Sequence, residues 1–368
     1  MSNRHPAKQH AELDILHGSL WRNIPLFALP VAATSILEQL SNLVDTLVIG
    51  HFSAEGGAFG MAAVGSITPI ASLLVMLFVG LSLGANVAIA HAVGAGDHDR
   101  AQRHAHTAIV LSLVGVVAAI AMELVSQPLL QCLSVPSEVF PDALMYLRIY
   151  LIGVPAILLY NLEAAIFRSV GITRMPMTAL AISGVLNIIL DTLFVAVFGW
   201  GAAGVAAATV LCYTASSAFL FVRLLHAESP IRIERSRLHA DRNSVATILR
   251  IGVPAGIQGS FFSLANILIQ TCINSLGTQV VAASSAALSL EFVCYSLLNS
   301  FSQACTTFVG QNSGAGNLER CKKVLKVALI EDAIITAVMI VLVIWQGRTI
   351  LTLFSSDAEV LDIAYVRV

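Results

Sequence analysis

The chain has 368 residues, of which 57% are hydrophobic and 11% are charged, and its mean hydropathy is +0.83. Soluble globular chains carry roughly 25% charged residues, so a water-soluble fold could not bury this much apolar surface, and the composition predicts an integral membrane protein. The formal net charge of −2 gives no indication of a nucleic-acid partner, and the six cysteines form no CxxC pair that would favour a metal site.

Nine stretches are long and apolar enough to cross a bilayer, which requires about 20 mainly apolar residues. In chain order, the predicted spans are 24–48, 60–92, 106–127, 142–166, 176–198, 202–225, 250–274, 281–310 and 324–346. A tenth span begins near Asp357, and the chain stops at Val368.

Positive charges alternate between the predicted loops. All Lys and Arg residues except Arg148, Arg348 and Arg367 fall in the N-terminal tail or in the loops that follow spans two, four, six and eight. Such loops are typically cytoplasmic. We therefore expect a multi-pass protein of the bacterial inner membrane with a cytoplasmic N-terminus.

The sequence contains an internal repeat. Residues 86–101 align with residues 306–321 through a shared G-A-G-[DN]-x-x-R pattern, and Pro30 aligns upstream with Pro254. The repeating unit has six spans, an even number, so both copies enter the membrane in the same direction. The second copy is incomplete, and we interpret this chain as C-terminally truncated.

These observations predict an all-α fold, a polytopic transmembrane helix bundle built from two parallel six-helix repeats. The predicted parts are a cytoplasmic tail at 1–23, an N-terminal lobe of six spans at 24–225, a cytoplasmic linker at 226–249 and a C-terminal lobe at 250–368. The last part holds three spans and the start of a fourth.

Ionisable side chains inside the spans are the candidate functional groups, because an acid at the bilayer centre costs about 2.5–3.5 kcal/mol on insertion scales. Asp45 and Asp191 both fall in the outer half of the membrane. Asn187 lies one turn before Asp191 on the same helix face, and Thr209 reaches a similar depth on the next span. We therefore predict that Asp45, Asn187, Asp191 and Thr209 form one site.

The residue types of this site do not distinguish between Na⁺ and H⁺ as the bound ion. Carboxylate, amide and hydroxyl oxygens suit a hard cation such as Na⁺, and two neighbouring carboxylates can equally carry a proton. In the second repeat, Asp45 corresponds to Ile269, so the site is expected once. The alternative is that each acid only caps a neighbouring helix or pairs with a buried amide.

Other polar residues are weaker candidates for a substrate cavity. Glu38 lies two turns before Asp45 and either lines a cavity or pairs with a nearby polar group. Glu291 in span eight and Tyr146 and Asn161 in span four are further candidates. The histidines at 91, 98, 104 and 106 do not have a convincing metal-binding spacing, and we predict that they form a solvated face.

With these residues the chain resembles the multidrug and toxic compound extrusion (MATE) family, and its prokaryotic DinF-like branch in particular. The resemblance is carried by five sequences, which are NLVDT at 42–46, AVGAGD at 92–97, FRSVG at 167–171, NIILD at 187–191 and VGQNSGAG at 309–316. Ser263 and Asn266 stand in span seven, where another bacterial branch carries a coupling acid.

The resemblance implies a two-lobed secondary antiporter that exports small organic, cationic or amphipathic compounds in exchange for Na⁺ or H⁺. Asp45, Asn187, Asp191 and Thr209 match the cation site of the family's N-terminal lobe, and Tyr146 and Asn161 match residues of its cavity. No enzymatic activity, no cofactor other than the coupling ion and no ATP-binding subunit are expected. The expected partners are the substrate and membrane lipid, with a monomeric transporter.

Two other functions stay open at this point. A lipid-linked saccharide flippase shares the broad architecture, but it would favour a basic cavity, and the basic residues here lie almost entirely in loops. A membrane-embedded enzyme would need a nucleophile and base, or metal ligands, clustered within the spans.

Overall fold

A computed structural model describes residues 13–52, 57–132, 135–274, 276, 278–352 and 358–367 of the chain. The helices of this part are α1 (Leu20–Phe52), α2 (Gly57–Gly94), α3 (His98–Leu111), α4 (Leu113–Cys132), α5 (Phe140–Ser169), α6 (Arg174–Asp191), α7 (Gly201–Leu225), α8 (Arg242–Asn274), α9 (Thr278–Gly314), α10 (Leu318–Leu351) and α11 (Ala358–Arg367). The predicted all-α class is confirmed, since these residues include no strand.

Nine candidate membrane spans occur in the described part, which is the number expected from the sequence. Helices α3 and α4 together form one of them, separated by a break at Ser112, and α6 continues into a π-helical turn at Thr192–Val197. Helix α11 lies in the region of the predicted tenth span. Large apolar side chains such as Leu124 and Trp345 are 78% and 75% exposed, as expected for a surface in contact with lipid.

The helices extend beyond most of the predicted span boundaries. Helix α1 begins at Leu20 instead of residue 24, and α8 begins at Arg242 instead of residue 250. Hydropathy marks where polar residues begin, whereas helical hydrogen bonding continues through the polar ends. Asp241 accepts hydrogen bonds from the Ser244 N–H and hydroxyl at 2.8 and 2.7 Å, which lower the pKa of its carboxyl and cap the start of α8.

The repeat is visible in two equivalent turns. Gly96 and Gly316 have φ angles of 71° and 73°, a left-handed conformation that glycine adopts without strain. The next residues, Asp97 and Asn317, each accept a hydrogen bond from the backbone N–H three residues later, at 2.9 and 3.0 Å. The same helix-turn-helix therefore occurs once in each repeat.

The two repeats meet closely at the end of the bundle that carries most Lys and Arg residues, here called the basic end. A methyl group at Gly94 of α2 would overlap the Gln311 carbonyl of α9, and one at Gly314 would overlap the His91 carbonyl. Glycine at both positions allows the two backbones to touch.

Polar side chains join the repeats at the same end. The Thr307 hydroxyl donates to Asn86 Oδ1 at 3.0 Å, and the Gln311 side-chain N–H donates to the Ser169 carbonyl at 2.7 Å. Arg168 donates to Gln303 Oε1 at 3.3 Å. The charge distribution predicts that this closed end is cytoplasmic.

Helix α8 belongs to the second repeat by sequence but packs extensively against α2 of the first. Glycines on both helices make this contact possible. A methyl group at Gly80 would overlap the Gly256 backbone, and one at Gly84 would overlap the Ile248 carbonyl.

The predicted tail and linker are partly packed against the bundle. Residues 1–12 of the tail lie outside the described residues, but Ile15 is buried, and Arg320 donates to the carbonyls of Ile15 and Gly18. In the linker, Ile231 and Ile233 are buried. The tail and linker predictions therefore missed tertiary contacts that hydropathy cannot reveal.

The prediction of a solvated histidine face is wrong for two of the four residues. His104 and His106 are buried, because the linker folds against α3. His106 Nε2 accepts the Glu234 N–H at 2.9 Å, which leaves Nδ1 to donate to the Gln102 carbonyl at 2.8 Å.

Candidate cation site

The four predicted site residues come together where α1, α6 and α7 pack against one another. Asp45 lies on α1, Asn187 and Asp191 lie one turn apart on α6, and Thr209 lies on α7. The Thr209 hydroxyl donates to Asp45 Oδ2 at 3.3 Å, and the Asp45 carboxyl also lies beside the side chains of Asn187 and Asp191.

The site contains more acceptors than donors. Asp45, Asn187 and Asp191 are 7%, 4% and 0% exposed. Within the described chain, no hydrogen-bond donor reaches Asp45 Oδ1, Asn187 Oδ1 or either carboxylate oxygen of Asp191. Burying such oxygens without a partner is unfavourable, and two adjacent carboxylates would also repel each other. A cation bound by these oxygens removes both penalties, and a proton shared between the carboxylates removes the repulsion and supplies one donor.

The residues fit either ion. Two carboxylates, an amide oxygen and a hydroxyl are hard oxygen donors of the kind that bind alkali or alkaline-earth cations. One proton shared between Asp45 and Asp191 would equally supply the missing donor.

A cavity of about 30 Å³ adjoins the site. Most of its lining residues carry polar side chains, and the full set comprises Glu38, Ser41, Asn42, Asp45, Leu180, Ser183, Gly184, Asn187, Thr209, Cys212 and Tyr213. Pockets for drug-sized ligands measure roughly 300–1,000 Å³. This space therefore suits an ion with a water molecule and is too small for an organic substrate.

The candidate cavity residues have different surroundings. Glu38 lines the small cavity. Tyr146 is buried and stacks on Tyr150 with ring centroids 6.3 Å apart, within electrostatic range of the Asp45 and Asp191 carboxyls. The Asn161 side-chain N–H donates to the carbonyl of Ile157 on its own helix at 2.8 Å, so this donor is engaged within α5.

Glu291 lies apart from the other candidates. Its Oε1 atom is 3.6 Å from the Arg367 guanidinium, which offsets its charge. The equivalent arginine of the first repeat, Arg148, pairs with Glu123 at 2.9 Å, on the rim of an apolar groove of about 530 Å³ between α4 and α5. Both repeats thus use this arginine in an ion pair, with acids from different helices.

Sequence reasoning missed a fully buried acid on α5. Glu163 is 0% exposed, and its Oε2 atom accepts a hydrogen bond from the Ser217 hydroxyl of α7 at 2.9 Å. Its position inside the predicted span 142–166 was a sufficient signal, because acids within spans are candidate functional groups. Glu331 and Asp332, inside the predicted ninth span, were missed in the same way.

Comparison with known proteins connects this architecture to a family. The family model described as MatE matches residues 30–193 and 254–366, which are segments of the two repeats. The "Probable multidrug resistance protein YoeA" of Bacillus subtilis (strain 168) is 29% identical over 355 residues, covering 94% of this chain and 76% of that protein. The "FAD transporter" of Shewanella oneidensis is 24% identical over 356 residues, covering 92% and 77%.

The fold is also that of a solved structure. A structure described as an outward-facing conformation of a multidrug resistance MATE family transporter aligns with a TM-score of 0.88 at 24% identity, covering 98% of this chain and 80% of that one. The two-lobed architecture is therefore confirmed. Because the family model matches most of the chain in both repeats, the chain belongs to the MatE family, the MATE multidrug efflux transporters, and is a multi-pass membrane transporter and not an enzyme.

Proposed function

We propose that the chain exports small organic compounds, cationic or amphipathic, in exchange for Na⁺ or H⁺, and that Asp45, Asn187, Asp191 and Thr209 hold the coupling ion. The observation that carries this proposal is the group of buried oxygens between α1, α6 and α7 to which no described residue donates. An ion at this position would connect three helices of one repeat through a single site.

The coupling ion would act through α1. Pro30 lies in the interior of this helix, where it lacks an N–H and allows the helix to bend. An ion held by Asp45 would favour one packing of α1 against α6 and α7. Transport requires that the ion bind the two conformations of the protein with different affinities, because an ion with equal affinities drives nothing.

The organic substrate would bind outside the small cavity, which has no room for it. The proposed setting is the bacterial inner membrane, with a cytoplasmic N-terminus, a monomeric transporter and no ATP-binding subunit. The charge distribution between loops supports this orientation.

The test is uptake into vesicles that contain the full-length protein, with Na⁺ and pH gradients imposed separately. A cationic dye is the expected substrate, and FAD is included because a relative is named an FAD transporter. We expect one of the two gradients to drive dye transport and Asp45→Asn to abolish it. Asp99→Asn, at an exposed position on α3, is the control.

Two results would overturn the proposal. Transport of the dye without either gradient would show that export is not coupled to Na⁺ or H⁺. Undiminished gradient-driven transport by Asp45→Asn would remove Asp45 from the mechanism, whereas transport of FAD alone would correct the substrate class.

A further inference from the structure

Glu163 has the features of a second ion-binding group in the first repeat. It is fully buried on α5, six residues before the end of the helix at Ser169, which corresponds to about 9 Å from the basic end at 1.5 Å per residue. Helices α1 and α6 both begin at the basic end, and Asp45 and Asp191 lie toward the far ends of these helices. Glu163 is therefore separated from the candidate cation site along the membrane normal.

The surroundings of Glu163 favour the neutral acid. Ser217 donates to Oε2, and Oε1 is buried without a hydrogen-bond partner among the described residues. No charged group on α2, α3, α6 or α7 acts on this carboxyl in the part of the chain that the structure describes. On its own helix, Tyr160 lies one turn earlier, and Arg168 is directed to Gln303. An ionised carboxylate here would have no counter-charge, whereas a proton on Oε1 leaves Oε2 as the acceptor for Ser217.

The helix turn that carries Glu163 is connected to the closed basic end. The Asn86 side chain donates to the Ala165 carbonyl at 3.2 Å and accepts the hydroxyl of Thr307 from the second repeat at 3.0 Å. Ser169, at the end of the same helix, accepts from Gln311. Separation of the repeats at this end would break the bonds from Thr307 and Gln311 and would bring water to the end of α5.

Ionisable groups lie between the two sites. Glu38 lines the small cavity together with Asp45. Tyr160 lies within electrostatic range of both Glu38 and Glu163. The groups Asp45, Glu38, Tyr160 and Glu163 thus follow one another from the candidate cation site toward the basic end.

We propose that Glu163, hydrogen-bonded by Ser217, is a second proton-binding site on the route by which protons cross the first repeat. While the basic end is closed, Oε1 carries the proton. When the repeats separate there, the O–H bond breaks, the proton passes to water and the carboxylate remains, to be reprotonated from the Asp45 site by way of Glu38. This inference rests on the proposed antiport and specifies H⁺ as an ion that the site transfers.

Infrared difference spectroscopy of the purified full-length protein in lipid tests the protonation state directly. Glu163→Gln should remove a carboxylic-acid C=O band from the wild-type spectrum. Glu123→Gln is the matched control, because Glu123 is paired with Arg148 and should lose a carboxylate band instead. Ser217→Ala should move the acid band to higher frequency, because the C=O group loses its hydrogen bond.

Loss of a carboxylate band in Glu163→Gln would overturn the proposal, and so would an acid band that Ser217→Ala leaves unmoved. The Ser217→Ala measurement keeps Glu163 in place, so it decides the matter even if Glu163→Gln fails to fold. In vesicles, Glu163→Gln should lose proton-driven export and retain substrate binding, and unchanged proton-driven export would contradict the transfer role.

The outcomes also separate this inference from the proposed function. If Asp45→Asn still transported the dye and the expected Glu163 band were present, the proposed cation site would be disproved and the proposal for Glu163 would stand. If Asp45→Asn were inactive and no acid band of Glu163 were found, the cation site would be supported and the proton-binding role of Glu163 would be disproved.

Discussion

At the scale of single residues, the candidate cation site is defined by an imbalance of donors and acceptors. Thr209 supplies the one hydroxyl hydrogen bond to Asp45, and four other buried oxygens of the site have no donor within the described residues. A structural acid would be expected to pair with an amide or an arginine, as the partly exposed Glu291 does with Arg367. The arrangement therefore favours ion binding over the alternative of simple helix capping.

Removal of the Thr209 hydroxyl should change the ion affinity of the site without changing its shape. Thr209→Val keeps the volume of the side chain but loses a hydrogen bond to a charged group, which contributes about 1.5 kcal/mol. If Na⁺ is the coupling ion, the Na⁺ concentration that gives half-maximal dye transport should rise about tenfold. If the ion is H⁺, the H⁺ concentration should fall about tenfold, because the hydroxyl stabilises the carboxylate and not the neutral acid. Thr209→Ser, which keeps the hydroxyl, is the control, and equal ion dependence in both variants would contradict a role for this group.

At the scale of helices, the sequence predicted what depends on hydropathy and missed what depends on tertiary contact. The nine spans followed from apolar length, and the turns at Gly96 and Gly316 followed from the repeat. The burial of His104 against the linker and the pairing of Glu291 with Arg367 require knowledge of which helices are neighbours. Clustering of the four candidate site residues was predictable because each lay at a similar depth.

The contact between α2 and α8 gives a prediction about stability. A methyl group at Gly80 would overlap the backbone of Gly256. The backbone shifts that accommodate such overpacking typically lower the free energy of unfolding by about 1–3 kcal/mol. Gly80→Ala should lower the thermal unfolding midpoint of the purified protein by several degrees. Gly65→Ala on the same helix is the control, since a methyl group there meets no atom within 4 Å. Equal midpoints for the two variants would show that the helices are free to adjust.

At the scale of the whole molecule, the two repeats share a scaffold but differ in chemistry. Each contributes a glycine turn, a capped helix and an arginine in an ion pair. The candidate coupling acids occur in the first repeat alone, where Asp45 has the apolar counterpart Ile269. Under the proposed antiport, ion binding in one repeat would change how the two repeats pack against each other, and a distance across the basic end would measure this change.

The close approach of α2 and α9 should control the balance between the closed and open states of the basic end. Gly94→Ala places a methyl group against the Gln311 carbonyl in the closed state, whereas separated repeats relieve the overlap. Spin labels at the exposed residues Asp99 and Lys322, in a background without the native cysteines, should therefore report a longer mean distance. Gly65→Ala should leave the distance unchanged, because position 65 is open in the structure. If Gly94→Ala gave the unmodified distance, the glycine contact would be tolerant of a methyl group and closure would depend instead on the polar bonds of Asn86 and Gln311.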